Sequence, residues 1–346
     1  LQLSVAVLAA AALLAACGGD SEGSVGFELK HEAAESPAAT DLPEAEDGVG
    51  TIKIASLPIP HNAQFIALPE FAKKYGLDVE WQSFQRYSDT QLAVAKGDVA
   101  VAAAGYHTVA LDTAPTGVSI VAGGNSGAQA LVLRPDAEVD DWNDLAGLKI
   151  GVAPNSGPDI QFQLSAREAG FDPNSIERVN FTTLGPATLT GLRNEEIDGI
   201  LCWEVICAQA VENGSAVYSS LDIGANDTQN ANTLALANDD WLADYPNAAT
   251  LLVRAYVDAV DYFNEYPDEL VALMMQETGA PAEVVEESLN SITLEWQLYR
   301  DRALATARAY NELGVSKRDM SDVVEDSLDY TYLMNATGLS KTEVGQ

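Results

Sequence analysis

An alternation of strand-patterned and helix-patterned segments begins at Thr51, pauses near Asp136 and then starts again, and nothing else in the chain limits its fold as much. In the first run "TIKIAS" reads as a strand, "NAQFIALPEFAKKYG" as a helix closed by Gly76, and "DVEWQSF" as a second strand. "SDTQLAVAKG" opens on Ser88 and Asp89, which suit a helix N-cap, while "DVAVAAAG" and "VSIVAGG" are apolar enough for buried strands. Strands that alternate with helices stack into a parallel sheet joined by right-handed crossovers.

After "ALVLRPD" the same order returns. "WNDLAG" predicts a short helix, "LKIGV" a strand, "SGPDIQFQLSAREAG" a helix, "ERVNFT" a strand, "ATLTGLRNEE" a helix, "DGILC" a strand and "WEVICAQAVENG" a helix. From Asn232 one more extended piece, "NTLALAN", leads into a mostly helical remainder. A chain of 346 residues is long enough for two such units. The expected architecture is α/β and two-lobed, each lobe a doubly wound, mainly parallel sheet, with a helical C-terminal part. Residues 51–134 and 231–346 form the first lobe, and residues 135–230 the inserted second lobe.

Ahead of Thr51 the text is different. The apolar run ending in "ALLAACGGD" is too short to span a bilayer as a helix and has the length of a secretory signal core. Leu14, Ala15, Ala16 and Cys17 resemble the lipobox of bacterial lipoproteins, which implies residues 1–17 as a signal peptide ending at a lipidated Cys17. Residues 18–50, rich in Gly, Ser, Pro, Ala and acid, read as a flexible acidic tether.

Lys and Arg number 18 against 52 Asp and Glu, a net charge of -34 that repels phosphate backbones, so nucleic acid is excluded as a partner. Such a surface also suits a saline habitat. Three cysteines are too few for a disulfide scaffold. With Cys17 assigned to lipid, Cys202 and Cys207 read as small buried hydrophobes, because their spacing fits no strong zinc or redox pattern.

The order "IASLPIPHNAQFIALPEFAKKYGLDVEW", "LAVAKGDVAVAAAG", "DDWNDLAGLKIGVAPNSG", "LRNEEIDGILCWEVICAQAVENG" and "YPNAATLLVRAYVDAVDYFNEYPDELVALMMQETG" resembles the nitrate, sulfonate, taurine and thiamine-precursor class of ABC transporter substrate-binding proteins. The likeness runs from about Thr51 to Leu298. It implies a two-lobed periplasmic-binding fold with solute between the lobes, and an ABC permease with its ATPase as partners.

In open α/β sheets ligands bind beyond the carboxyl ends of strands. That rule nominates "LPIPHNAQ", "FQRYSD", "GYHT" and "GGNSGAQ" in the first lobe, and "APNSGPD", "TTLGPAT" and "CWEV" in the second. The candidate ligand contacts are His61, Asn62, Gln64, Arg86, Tyr106, His107, Asn125, Ser126, Asn155, Ser156, Gly157, Trp203 and Glu204. Asn155, Ser156 and Gly157 form a cradle before a helix, or an ordinary cap in which Ser156 or Asp159 serves. His61 and His107 either donate and accept toward a solute or cap helices. Together with Glu204 they offer only a weak metal reading, so no metal and no cofactor is expected. Arg86 either grips an anion or forms a surface ion pair. Trp203 can stack on a ring, and Glu204 pairs with an ammonium or simply favours a helix start. Phe84 lies near these loops, while Trp81 belongs to the core.

The expected function is a lipid-anchored, extracytoplasmic, monomeric receptor that closes on a sulfonate-like or taurine-like nutrient, with an aminopyrimidine or a nitrate-like anion as alternatives. Because a synthase of pyrimidine precursors shares this fold, an enzyme is the other reading. The chain lacks that synthase's dense cysteine cluster, and no Gly-x-Ser-x-Gly elbow, P-loop or His-Glu-x-x-His helix appears.

Overall fold

The computed structural model describes residues 27–32, 36–112, 114–182 and 184–346. Cys17 and the rest of the signal-like segment lie outside the described residues.

The strands are β1 (Thr51–Ser56), β2 (Asp78–Ser83), β3 (Val101–Gly105), β4 (Val118–Gly127), β5 (Gln129–Leu133), β6 (Lys149–Val152), β7 (Glu177–Asn180), β8 (Gly199–Trp203), β9 (Val217–Tyr218), β10 (Ala231–Asn238) and β11 (Ile292–Leu294). The helices are α1 (Ala63–Lys73), α2 (Tyr87–Ala95), α3 (Tyr106–Val109), α4 (Gly157–Glu168), α5 (Pro186–Arg193), α6 (Ile206–Glu212), α7 (Asp239–Asp244), α8 (Pro246–Glu265), α9 (Pro267–Thr278), α10 (Ala282–Leu289), α11 (Arg300–Glu312), α12 (Ser321–Ser327) and α13 (Thr331–Thr337).

One sheet has the order β11-β4-β10-β3-β1-β2 and the other β7-β6-β8-β5-β9. In each, a parallel trio (β3-β1-β2 and β7-β6-β8) is extended by antiparallel strands. β3 and β10 are buried along their whole length, and their alanines let helices lie close on the sheet. α1 and α8 cover the first sheet, with Phe65 edge-on to Tyr256 at 5.1 Å and Phe71 edge-on to Tyr262 at 5.4 Å. Burying each of these large side chains stabilises the lobe by about 1.5–3 kcal/mol. The second lobe has cores of its own on the two faces of its sheet, one around Phe162 and Ile150, the other around Ile200 and Leu192.

Three features differ from expectation. Gln129–Leu133, assigned by sequence to the first lobe, pairs with β8 and β9 in the second sheet, because the backbone turns at Gly127 (φ 79) and Ala128 (φ 61). Parts of the 18–50 stretch are docked rather than loose. Phe27, Leu42, Ala45 and Val49 pack on the first-lobe core, Glu46 accepts from the N–H groups of Asn247 and Ala248 at the start of α8, and the Arg254 guanidinium donates to the Pro37 carbonyl. Cys202 and Cys207 are buried as expected, but they are joined in a disulfide; the turn between β8 and α6 brings their Cα atoms to 5.6 Å, within bridging range.

The chain crosses between lobes at Gly127–Gln129 and again before β10, where Gln229 (φ 48) and Asn230 (φ 54) are also left-handed. The two crossings are tied by the Gly127 N–H donating to the Asn230 carbonyl at 2.9 Å. A Cβ on Gly127 would meet the Ser291 carbonyl oxygen at 1.9 Å, so this approach requires glycine.

Candidate functional site

The carboxyl ends of β1 and β3, the end of β4 and the start of the antiparallel β10 meet at one edge of the first sheet. Gln64, in the first turn of α1, is fully buried there. Its Nε2 donates to the Tyr256 hydroxyl at 3.1 Å, and that hydroxyl donates to the Gly123 carbonyl at 2.8 Å. Asn62 Nδ2 reaches the Leu57 carbonyl and the Tyr87 hydroxyl, each at 3.2 Å. Asn125 Oδ1 accepts from Thr233 Oγ1 at 2.5 Å, and the Thr233 side chain fills the space a Cβ on Gly124 would need. The His107 ring likewise occupies the space over Gly105, and it lies edge-on to Tyr87 at 6.1 Å.

The second lobe contributes Gln129, Ser156 and Gly157. Gln129 Nε2 donates to Asn230 Oδ1 at 3.0 Å, and a Cβ on Gly157 would stand 2.3 Å from Gln129 Oε1. Asn155 is left-handed (φ 63), and its N–H donates to Asp159 Oδ2 at 2.9 Å, so Asp159 serves the turn while Ser156 makes no capping bond. Arg178 pairs with that buried Asp159. Ile160, the next residue, belongs to the first lobe's apolar cluster, so the two lobes are in contact along this seam.

Buried polar atoms are normally paired, because leaving one unpaired costs about 1–3 kcal/mol. Of the nine buried side-chain atoms without a hydrogen-bond partner among the described residues, five lie at these loops: His61 Nδ1, Gln64 Oε1, Gln129 Oε1, Ser156 Oγ and Asn232 Nδ2; the other four belong to Ser36, Glu269, Glu277 and Tyr330, away from the seam. Burial drives the imidazole pKa of His61 down to about 3 and that of His107 to about 4, so both rings are neutral at physiological pH. Burial also raises the Tyr87 and Tyr106 hydroxyls, which stay protonated.

Five sequence candidates lie elsewhere or are otherwise engaged. Arg86 is exposed, with its Nε and Nη2 donating to the two carboxylate oxygens of Asp89 at 3.0 and 3.1 Å. The Tyr106 hydroxyl donates to the Leu298 carbonyl at 3.3 Å. Trp203 ends β8 rather than opening a helix and packs on the second-lobe core. Glu204 bridges the lobes beside the crossings: its carboxylate accepts from the Tyr218 hydroxyl at 2.8 Å, the Ser291 hydroxyl at 3.0 Å and the Ala208 N–H at 3.2 Å. Burial is the main reason its pKa rises to about 7, with Glu287 adding to the effect. Ser126 donates to Glu295 Oε1 at 2.6 Å, and Arg302 holds the other oxygen at 2.7 Å while lying over the Tyr299 ring. His61, His107 and Glu204 do not form a ligand group; the cluster of potential metal ligands among the described residues is His31, Asp268 and Glu269, where Lys30 already pairs with Glu269.

Sequence reasoning missed Gln129, Asn232, Thr233, Tyr87 and Tyr256. A rule that looks beyond carboxyl ends of parallel strands overlooks an antiparallel strand, whose opposite end lies at the same edge.

Two α/β lobes joined by paired crossings, with unpaired polar atoms from both facing the seam, define the architecture of two-lobed periplasmic binding proteins. The chain belongs to the NMT1/THI5-like family, whose pattern matches residues 70–270. It is 24% identical over 203 residues to the taurine-binding periplasmic protein of Escherichia coli (strain K12), covering 57% of this chain and 61% of that protein. The chain therefore spans less than two thirds of that curated relative. The crystal structure of the periplasmic aliphatic sulphonate binding protein SsuA from Escherichia coli superposes with a TM-score of 0.66 at 15% identity, covering 83% and 92% of the two chains. The desulfurization enzyme DSZB shares the fold at a TM-score of 0.60 and 14% identity, over 82% of this chain and 98% of that one. No helix among the described residues is long and apolar enough to cross a membrane.

Proposed function

We propose that this chain is the extracytoplasmic solute-binding component of an ABC importer, capturing a small organic nutrient between its lobes and delivering it to a permease and its ATPase. The observation that carries the reading is the gathering of unpaired, buried polar atoms from both lobes at one seam, since a bound solute supplies the partners they lack. Contacts such as Ile160 against the first lobe form only when the lobes meet, so solute and closure stabilise each other. Sulfonates and taurine, named in the relatives, head the candidate solutes; amino acids, pyrimidines and nitrate complete the screen. A thermal-shift survey of these classes tests the reading: one class raises Tm by several degrees, and no shift with any of them overturns it.

A lipid at Cys17 would hold the protein, as a monomer, at the outer face of the membrane. Cys17→Ser is expected to move the protein into the soluble fraction; unchanged membrane retention argues against the anchor. The fold shared with DSZB keeps an enzymatic reading in view, but Cys202 and Cys207 are bonded to each other and neither is free to serve as a thiolate. Turnover of a stabilising solute by the purified protein would revive that reading.

A further inference from the structure

The wall contributed by Gln64 constrains the chemistry of the solute, on the reading that this protein is a solute receptor. The Tyr256 hydroxyl has one proton, and it goes to the Gly123 carbonyl at 2.8 Å. Its oxygen can therefore only accept from Gln64, at 3.1 Å, which fixes Nε2 on that side of the amide. The same Nε2 points toward the His61 and Gly124 carbonyls, both at 3.4 Å. The atom left over is Oε1, an acceptor on a fully buried side chain with no partner.

On the facing lobe Gln129 repeats the arrangement: Nε2 is used on Asn230 and Oε1 is left. Asn232 Nδ2 and Ser156 Oγ are unpaired donors that an oxyanion's acceptors could meet, but against these two oxygens a solute with acceptors only would set lone pair against lone pair. Positive charge does not rescue it. Arg86 is exposed and closed on Asp89, Arg302 is held by Glu295, and the buried His61 ring is neutral.

We infer that the solute brings an N–H donor to this seam, on an amine, amide or amino-heterocycle, and that Gln64 Oε1 is the acceptor that reads it. Bare oxyanions such as nitrate or a simple alkylsulfonate lack that donor and are discriminated against.

The test is calorimetric titration of the full chain with two isosteric pairs, taurine against propanesulfonate and 4-aminopyrimidine against 4-methylpyrimidine, with nitrate alongside. At least one amine-bearing member is expected to bind tenfold or more tightly than its amine-free partner. Gln64→Leu is expected to bring that ratio toward one, whereas Gln64→Glu, which keeps an acceptor, preserves it. If Gln64→Leu fails to fold, the wild-type ratio and the Gln64→Glu variant decide. An amine-free probe or nitrate that binds as tightly as the amine-bearing ones overturns the inference and leaves the receptor reading standing. Silence from every probe here and every solute in the wider survey removes the receptor reading itself.

Discussion

Glu204 in the second lobe accepts a hydrogen bond at 3.0 Å from the hydroxyl of Ser291 in the first. The contact sits beside the crossing strands, where the Ala128 N–H also donates to the Ser291 carbonyl at 2.7 Å and the Glu204 N–H donates to the Ala128 carbonyl at 3.0 Å. Ser291 thus meets both the crossing backbone and the one carboxylate that spans the lobes there.

That carboxylate makes stability depend on pH. Its native pKa is raised from 4.5 to about 7, so the native chain holds this proton more tightly than the unfolded chain does. The stabilisation is complete below the unfolded value and is lost as pH rises through about 7, an effect of up to about 3 kcal/mol. Urea unfolding at pH 5 and pH 8 should show this loss, and Glu204→Gln should flatten it. An unchanged pH profile in the variant would assign the dependence to other groups.

Arg254 and Asp258 are both buried and paired one helical turn apart on α8, with Tyr75 and Lys74 completing the group. Arg254→Ala leaves the Asp258 charge with Lys74 alone and releases the Pro37 carbonyl. We expect a loss of about 3–5 kcal/mol in denaturant unfolding, together with faster proteolysis around residue 37. A change below 1 kcal/mol, as is usual for exposed pairs, would contradict the buried geometry.

Gly157→Ala sets a methyl against Gln129 Oε1, which is held in place through Asn230. The side chain can yield, so the chain should fold with nearly unchanged Tm. Solute affinity is expected to weaken about tenfold, or about 1.4 kcal/mol. Unaltered binding would take Gln129 out of the recognition surface.

Alkylation of the denatured, unreduced chain should leave Cys202 and Cys207 unmodified. Reduction should lower stability by about 2 kcal/mol, the chain-entropy value for so short a closed loop. Labelling of either cysteine before reduction would refute the bridge.

Much of the fold was legible because hydrophobic periodicity and glycine stops are local. β1, α1, β2, β6, α4 and β8 lie close to the segments read from sequence, and the two-lobed class and its family follow from their order. The antiparallel pairing of β10 was not legible, since a buried run such as "NTLALAN" carries no mark of its direction. Of the candidate site, His61, Gln64 and Ser156 were nominated by the strand-end rule, and each has an unpaired buried atom. Trp203 and Glu204 were misread because "WEVICAQAVENG" looks like one helix, whereas the helix begins only at Ile206 and the disulfide spans the turn before it. Of the two readings open for Arg86 the surface ion pair is the one formed: a cation in an acidic chain finds a near carboxylate, here three residues away.

The docking of residues 36–50 has a mechanical corollary. Glu46 and the Pro37 carbonyl are fastened to α8, so whatever holds the chain upstream takes hold of the first lobe alone. The second lobe has no part in that fastening and is joined to the first through the crossings at Gly127–Gln129 and at Gln229 and Asn230.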